Sequence, residues 1–115
     1  IEAMGEAFTL AQKNGVSRQA VYELFTSTLF ACPVYQNYGK LIAAEHYQPI
    51  GAVPSLIRKD FGLLLQEAKS SQVPMPLAGL VHDRLTAMVA KGREDRDWAG
   101  FAQEVSESAG LKNGE

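Results

Sequence analysis

Lys59 and Asp60 stand side by side in a segment whose apolar residues recur at helical spacing. Adjacent helical residues point ~100° apart, so the two do not simply neutralise each other. A lysine there presents a compact, mobile cation, and the aspartate can accept a hydrogen bond or orient a neighbour. A plainer reading fits the spacing equally: Asp60 favours the positive end of a helix, and Lys59 is a solvated head on a buried stem. Spacing alone favours that plainer reading.

The other chemistry-bearing residues are scattered. His46 and His82 lie on different segments without ligand spacing, and there is no HExxH or CxxC, so a metal site is unsupported. His82 reads as a surface or boundary histidine rather than a proton carrier, because an imidazole alone specifies nothing. Cys32 has no basic neighbour in sequence and reads as a small buried hydrophobe rather than a reactive thiol. No GxGxxG, Walker loop or GxSxG elbow is present, and Gly51 and Gly62 are isolated. The chain carries no phosphate cradle and no self-sufficient catalytic set of its own.

Proline and glycine punctuate the segments that position these residues. With 115 residues, 46% of them hydrophobic and 21% charged, one domain with a real core is expected. The first helix is expected over Ile1–Asn14, with Ile1, Met4, Phe8 and Ala11 on one face and Gly15 in the left-handed cap. Ser17 is a good N-cap for the second, which carries Val21, Leu24, Phe25 and Thr28 and runs to about Phe30; Val16 and Val21 are placed as a hydrophobic staple. Pro33 opens the third, with Val34, Tyr38, Leu41 and Ile42 inward.

The stretch from Tyr47 to Pro54 is a loop. The fourth helix follows, from Pro54 or Ser55 to about Ser71, with Ile57, Phe61, Leu64, Leu65 and Ala68 as its stripe. Val73–Pro76 is extended, because a residue before proline is pushed out of the helical region. Leu77, Val81, Leu85 and Met88 mark a fifth helix ending at Gly92. The sixth starts at Asp95 or Asp97, turns Trp98, Phe101, Ala102 and Val105 inward, and stops at Gly110. No strand pattern occurs. The fold class is all-α, a compact bundle of about six helices.

Charge and apolar run lengths exclude two classes. With 11 basic against 13 acidic residues and a net charge of -2, the chain lacks the electrostatic footprint of a nucleic-acid binder. No apolar run is long enough for a membrane span, nothing resembles a signal peptide, and one cysteine fits a reducing, cytoplasmic setting. The absence of a starting Met, with Ile1 already inside a helix, suggests a fragment or a processed chain.

The run from Gly51 to Ala68, GAVPSLIRKDFGLLLQEA, resembles the KD-centred helix of the β-hydroxyacid dehydrogenases, which include the 3-hydroxyisobutyrate dehydrogenases. Other pieces agree in order: EAFTLAQKNGVS over 6–17, TLFACPVYQNYG over 28–39, VPMP over 73–76, and Gly92 to Trp98 with Asp95 and Asp97. Each motif is weak alone, and together they cover almost the whole chain.

The resemblance implies the C-terminal helical half (residues 1–115) of a 6-phosphogluconate dehydrogenase-like enzyme, separated from its Rossmann domain. Such an enzyme moves hydride between NAD or NADP and a small hydroxy acid or its carbonyl partner. The resemblance also implies a homodimer or tetramer. The family's catalytic Lys-Asn pair falls upstream of Ile1, so no catalytic residue is assigned here, and the fragment alone is expected to be inactive. Lys59 matches a lysine that reaches the cofactor from the helical side, and Asp60 an aspartate near the substrate pocket. Ala52 departs from the pattern: many relatives carry an aromatic residue there, lining the substrate site. The alternative is a non-catalytic helical interaction or dimerisation module, which needs only amphipathic helices and a leftover apolar face.

Overall fold

Proline and serine set several helix starts. The computed structural model describes residues 1–112; residues 113–115, the end of the expected domain, lie outside it. Six α-helices follow in order: α1 (Glu2–Lys13), α2 (Arg18–Thr26), α3 (Pro33–Ala44), α4 (Pro54–Ser70), α5 (Pro76–Ala90) and α6 (Ala102–Ser108), the last entered through a 3-10 turn, Trp98–Phe101. No strand occurs among the described residues, and the expected all-α class is what the chain adopts.

Local chemistry explains most of the ends. Ser17 Oγ accepts the Ala20 N–H at 3.1 Å and caps α2. Pro33, Pro54 and Pro76 occupy first-turn positions, where a missing N–H leaves nothing unpaired. Gly15 and Gly92 take positive φ of 79° and 71° just past α1 and α5, as their spacing predicts.

The helices divide into two compact units, one of Ile1–Gln48 together with the described residues from Ala99 on, the other Pro49–Trp98. In the first, α1 packs on α2, α3 and α6. Met4, Phe8, Ile42, Tyr47, Ala99 and Ala102 form its centre, with Val21, Phe25, Tyr38 and Leu41 partly buried against it. Burying one such large apolar side chain contributes about 1.5–3 kcal/mol. Arg18 is also buried there: Nε donates to the Ile42 carbonyl at 3.3 Å, and the Nη groups reach Gln12 Oε1 at 3.1 Å and Ser106 Oγ at 3.3 Å. In the second unit α4 packs along α5, which buries Ala78, Val81, Leu85 and Met88.

Several expectations change. Helix α2 stops at Thr26, not Phe30. The chain turns so that the Phe30 ring stacks on Tyr35 at 4.8 Å and meets Phe25 edge-on at 5.3 Å; aromatic pairing wins over another helical turn. Cys32 is exposed, not buried: it is the extended residue before Pro33, at the N-cap of α3, on no packed face. Leu24, Val34, Leu64 and Leu77, each expected inside, are exposed. Asp95 and Asp97 precede the last helix without starting it; the backbone passes first through the 3-10 turn.

Candidate functional site

Helix α4 has no side-chain cap of its own: its N-cap residue is Val53. Carboxylates from far along the sequence take that place. Glu94 Oε2 accepts the Ser55 hydroxyl at 3.0 Å and its N–H at 3.4 Å. Asp97, 3% exposed, accepts the N–H groups of Gly51 and Ala52 on one oxygen, Oδ2, at 2.9 and 3.2 Å. The Trp98 N–H returns a bond to the Ala52 carbonyl at 2.9 Å. Both anions sit beside the N-terminus of a helix, where its dipole favours negative charge. Gly51 suits the spot because an added Cβ would come within 3.2 Å of Asp97 Oδ2.

One turn into α4, Lys59 and Asp60 are exposed. Neither side chain makes a hydrogen bond or ion pair among the described residues. The ammonium and carboxylate therefore address solvent separately, as their angular separation requires. Arg58, beside them, turns to α5: its Nε donates to Thr86 Oγ1 at 2.8 Å, and that hydroxyl donates to the His82 carbonyl at 2.9 Å.

His82 is half-buried and lies against α4, its Nε2 3.9 Å from where a Cβ on Gly62 would stand. Its Nδ1 is 3.8 Å from Asp83 Oδ1. The structure thus places His82 at the α4–α5 seam, near the turn that carries Lys59, which the sequence could not show. His46 and Cys32 belong to the other helical unit. Among the described residues no three His, Cys, Asp or Glu side chains form a group suited to a metal ion, and no helix is long and apolar enough to cross a membrane. Asp95 is exposed, and the hydrogen bond from Arg96 holds its carboxyl below the ordinary carboxylate value.

The fold matches the crystal structure of a 3-hydroxyisobutyrate dehydrogenase (ygbJ) from Salmonella typhimurium with a TM-score of 0.77 at 24% identity, over 88% of this chain and 35% of that one. Residues 1–105 match the family described as NAD-binding of NADP-dependent 3-hydroxyisobutyrate dehydrogenase, and the chain belongs to that family.

Among curated relatives, the oxidoreductase YfjR of Bacillus subtilis (strain 168) is 38% identical over 88% of this chain. An L-threonate dehydrogenase of Cupriavidus necator (strain ATCC 17699) is 29% identical over 84%. The chain spans 35% and 32% of their respective lengths, about a third. The family is a nicotinamide dinucleotide-binding one.

Proposed function

We propose that this chain is the helical domain of an NAD(P)-dependent oxidoreductase that transfers hydride between the nicotinamide and a small β-hydroxy acid or its carbonyl partner. The observation that carries the reading is the family match over residues 1–105, which includes the Lys59–Asp60 pair on α4. In this reading a Rossmann domain elsewhere in the longer protein holds the dinucleotide, and the helical domain closes over it. The protein acts in the cytoplasm as a homodimer or tetramer.

The donor set fits contact from one side of such a cofactor. Lys59 offers an exposed ammonium with no competing partner among the described residues, suited to the ribose and carboxamide oxygens near the nicotinamide. Asp60 offers an exposed acceptor for a substrate hydroxyl. The hydride chemistry itself is the cofactor's, and the residues here bind and orient. Exposed Leu24, Leu29, Leu63 and Leu77 are apolar surface that a covering domain or subunit would bury.

The test is Lys59→Ala in the full-length protein. Losing one charge-assisted hydrogen bond, worth about 1.5–3 kcal/mol, should weaken dinucleotide binding roughly tenfold to a hundredfold. Unchanged affinity removes Lys59 from the cofactor site. The isolated 115-residue chain should turn over no substrate; measurable dehydrogenase activity from it would overturn the division of labour.

A further inference from the structure

The geometry points to Asp97 and Glu94 as positioning residues that set where the Lys59–Asp60 pair stands, an inference that rests on the cofactor reading of Lys59. Asp97 and Glu94 hold three backbone N–H groups, those of Gly51, Ala52 and Ser55, and Glu94 also holds the Ser55 hydroxyl, while the Trp98 N–H closes the return bond to Ala52. That stretch leads directly into the first turn of α4, with Pro54 fixed within it and fully buried. Lys59 stands four residues past Ser55, ~6 Å along the axis at ~1.5 Å per residue, so the first turns of α4 carry both. A shift at Ser55 is therefore carried to Lys59 about one turn on.

The body of α4 is held by α5 instead. The clamp thus governs the entry of the helix, which bears the exposed pair, more than it governs whether the helix forms. Val53 cannot do this work, because it has no side-chain acceptor to offer the first turn.

The experiment uses the full-length enzyme. Asp97→Ala should raise the dinucleotide dissociation constant about tenfold, with kcat at saturation within about threefold of the parent. Asp97→Asn keeps an oxygen that accepts both N–H bonds and should restore binding to within about threefold. In a Lys59→Ala background Asp97→Ala should add less than about twofold, because it acts through a side chain no longer present. A folded Asp97→Ala enzyme that binds dinucleotide like the parent overturns the inference, as does full multiplicativity with Lys59→Ala.

Amide exchange separates this failure from that of the cofactor reading. Faster exchange at Gly51, Ala52 and Ser55 in Asp97→Ala supports the clamp whatever Lys59 does, and unchanged exchange overturns it. A neutral Lys59→Ala sinks the cofactor reading, and with it the step from clamp to cofactor. Should Asp97→Ala not accumulate as folded protein, Glu94→Gln combined with Ser55→Ala loosens the same entry more gently, and the same binding and exchange outcomes decide.

Discussion

Replacing Arg18 by methionine tests the buried polar centre of the first helical unit. The stem is kept and the guanidinium is lost, with its bonds to the Ile42 carbonyl, Gln12 Oε1 and Ser106 Oγ and its 3.9 Å approach to Glu45. Not every partner is orphaned. Ser106 Oγ keeps Thr9 Oγ1 at 3.1 Å, and the Ile42 carbonyl keeps the Glu45 N–H at 3.2 Å. What is lost is the guanidinium's own hydrogen bonds and its ion pair with Glu45. Hydrogen bonds to a charged group contribute about 1.5–3 kcal/mol each, and breaking a buried pair from one side costs about 3–5 kcal/mol. Because the partners keep other contacts, the expected loss lies at the low end, roughly 3 kcal/mol. At about 4 °C per kcal/mol for a domain of this size, Tm should fall by roughly 12 °C in a far-UV circular dichroism melt. Urea unfolding should show a lower midpoint with an unchanged m-value. A fall of less than about 3 °C would refute the reasoning, because it would mean that burying the guanidinium cancels everything its bonds contribute.

Gly39 sits on buried α3 backbone, and an added Cβ would meet Tyr22 Cδ2 at 2.9 Å and Met4 Sδ at 3.1 Å. The Tyr22 hydroxyl is bonded to the Gln36 carbonyl at 3.0 Å, which restrains the ring. Gly39→Ala should therefore lose about 1–3 kcal/mol to overpacking, outweighing the roughly 1 kcal/mol that alanine normally gains in a helix; a more stable variant in urea unfolding would show that the ring moves freely. Cys32, exposed at the start of α3, should react with a thiol reagent in the native protein at a rate close to that in denaturant, and protection of a hundredfold or more, about 2.7 kcal/mol, would contradict its placement. Asp95 contributes stability that is present above the unfolded carboxyl pKa and lost as pH falls through its lowered folded value; Asp95→Asn should flatten the acid limb of the stability curve slightly, and an alkaline effect would contradict the sign.

Much of the fold was legible because its signals are local. A serine that accepts an N–H three residues on, a proline in a first turn and a glycine just past a last turn each act within one helical turn. Ser17, Pro33, Pro54, Pro76, Gly15 and Gly92 accordingly stand where their spacing places them. Periodicity does less well on α4, because Leu56, Leu63 and Leu64 add apolar residues around more than one face. A stripe read from spacing then includes Leu64, which the fold leaves exposed. The end of α2 was illegible for a related reason: Thr26 to Phe30 could continue a helix by propensity, and only the rings of Phe25 and Tyr35 pull Phe30 out of it.

The candidate site divides along the same line. Lys59 and Asp60 could be singled out because the KD pair and the apolar frame around it lie in one short run. Asp97 could not, because an aspartate before an apolar stripe usually signals a helix start. Its carboxylate does cap backbone N–H groups, but those of Gly51 and Ala52, 46 and 45 positions away. Glu94 likewise reaches Ser55 across 39 positions. The carboxylate caps backbone as an aspartate's spacing suggests, but on a distant loop, because which loop comes to meet an acceptor is decided by how α4 packs on α5. A functional pair on a helix can thus be read from its own neighbourhood, while the residues that hold that helix in place are found only where the chain returns to it.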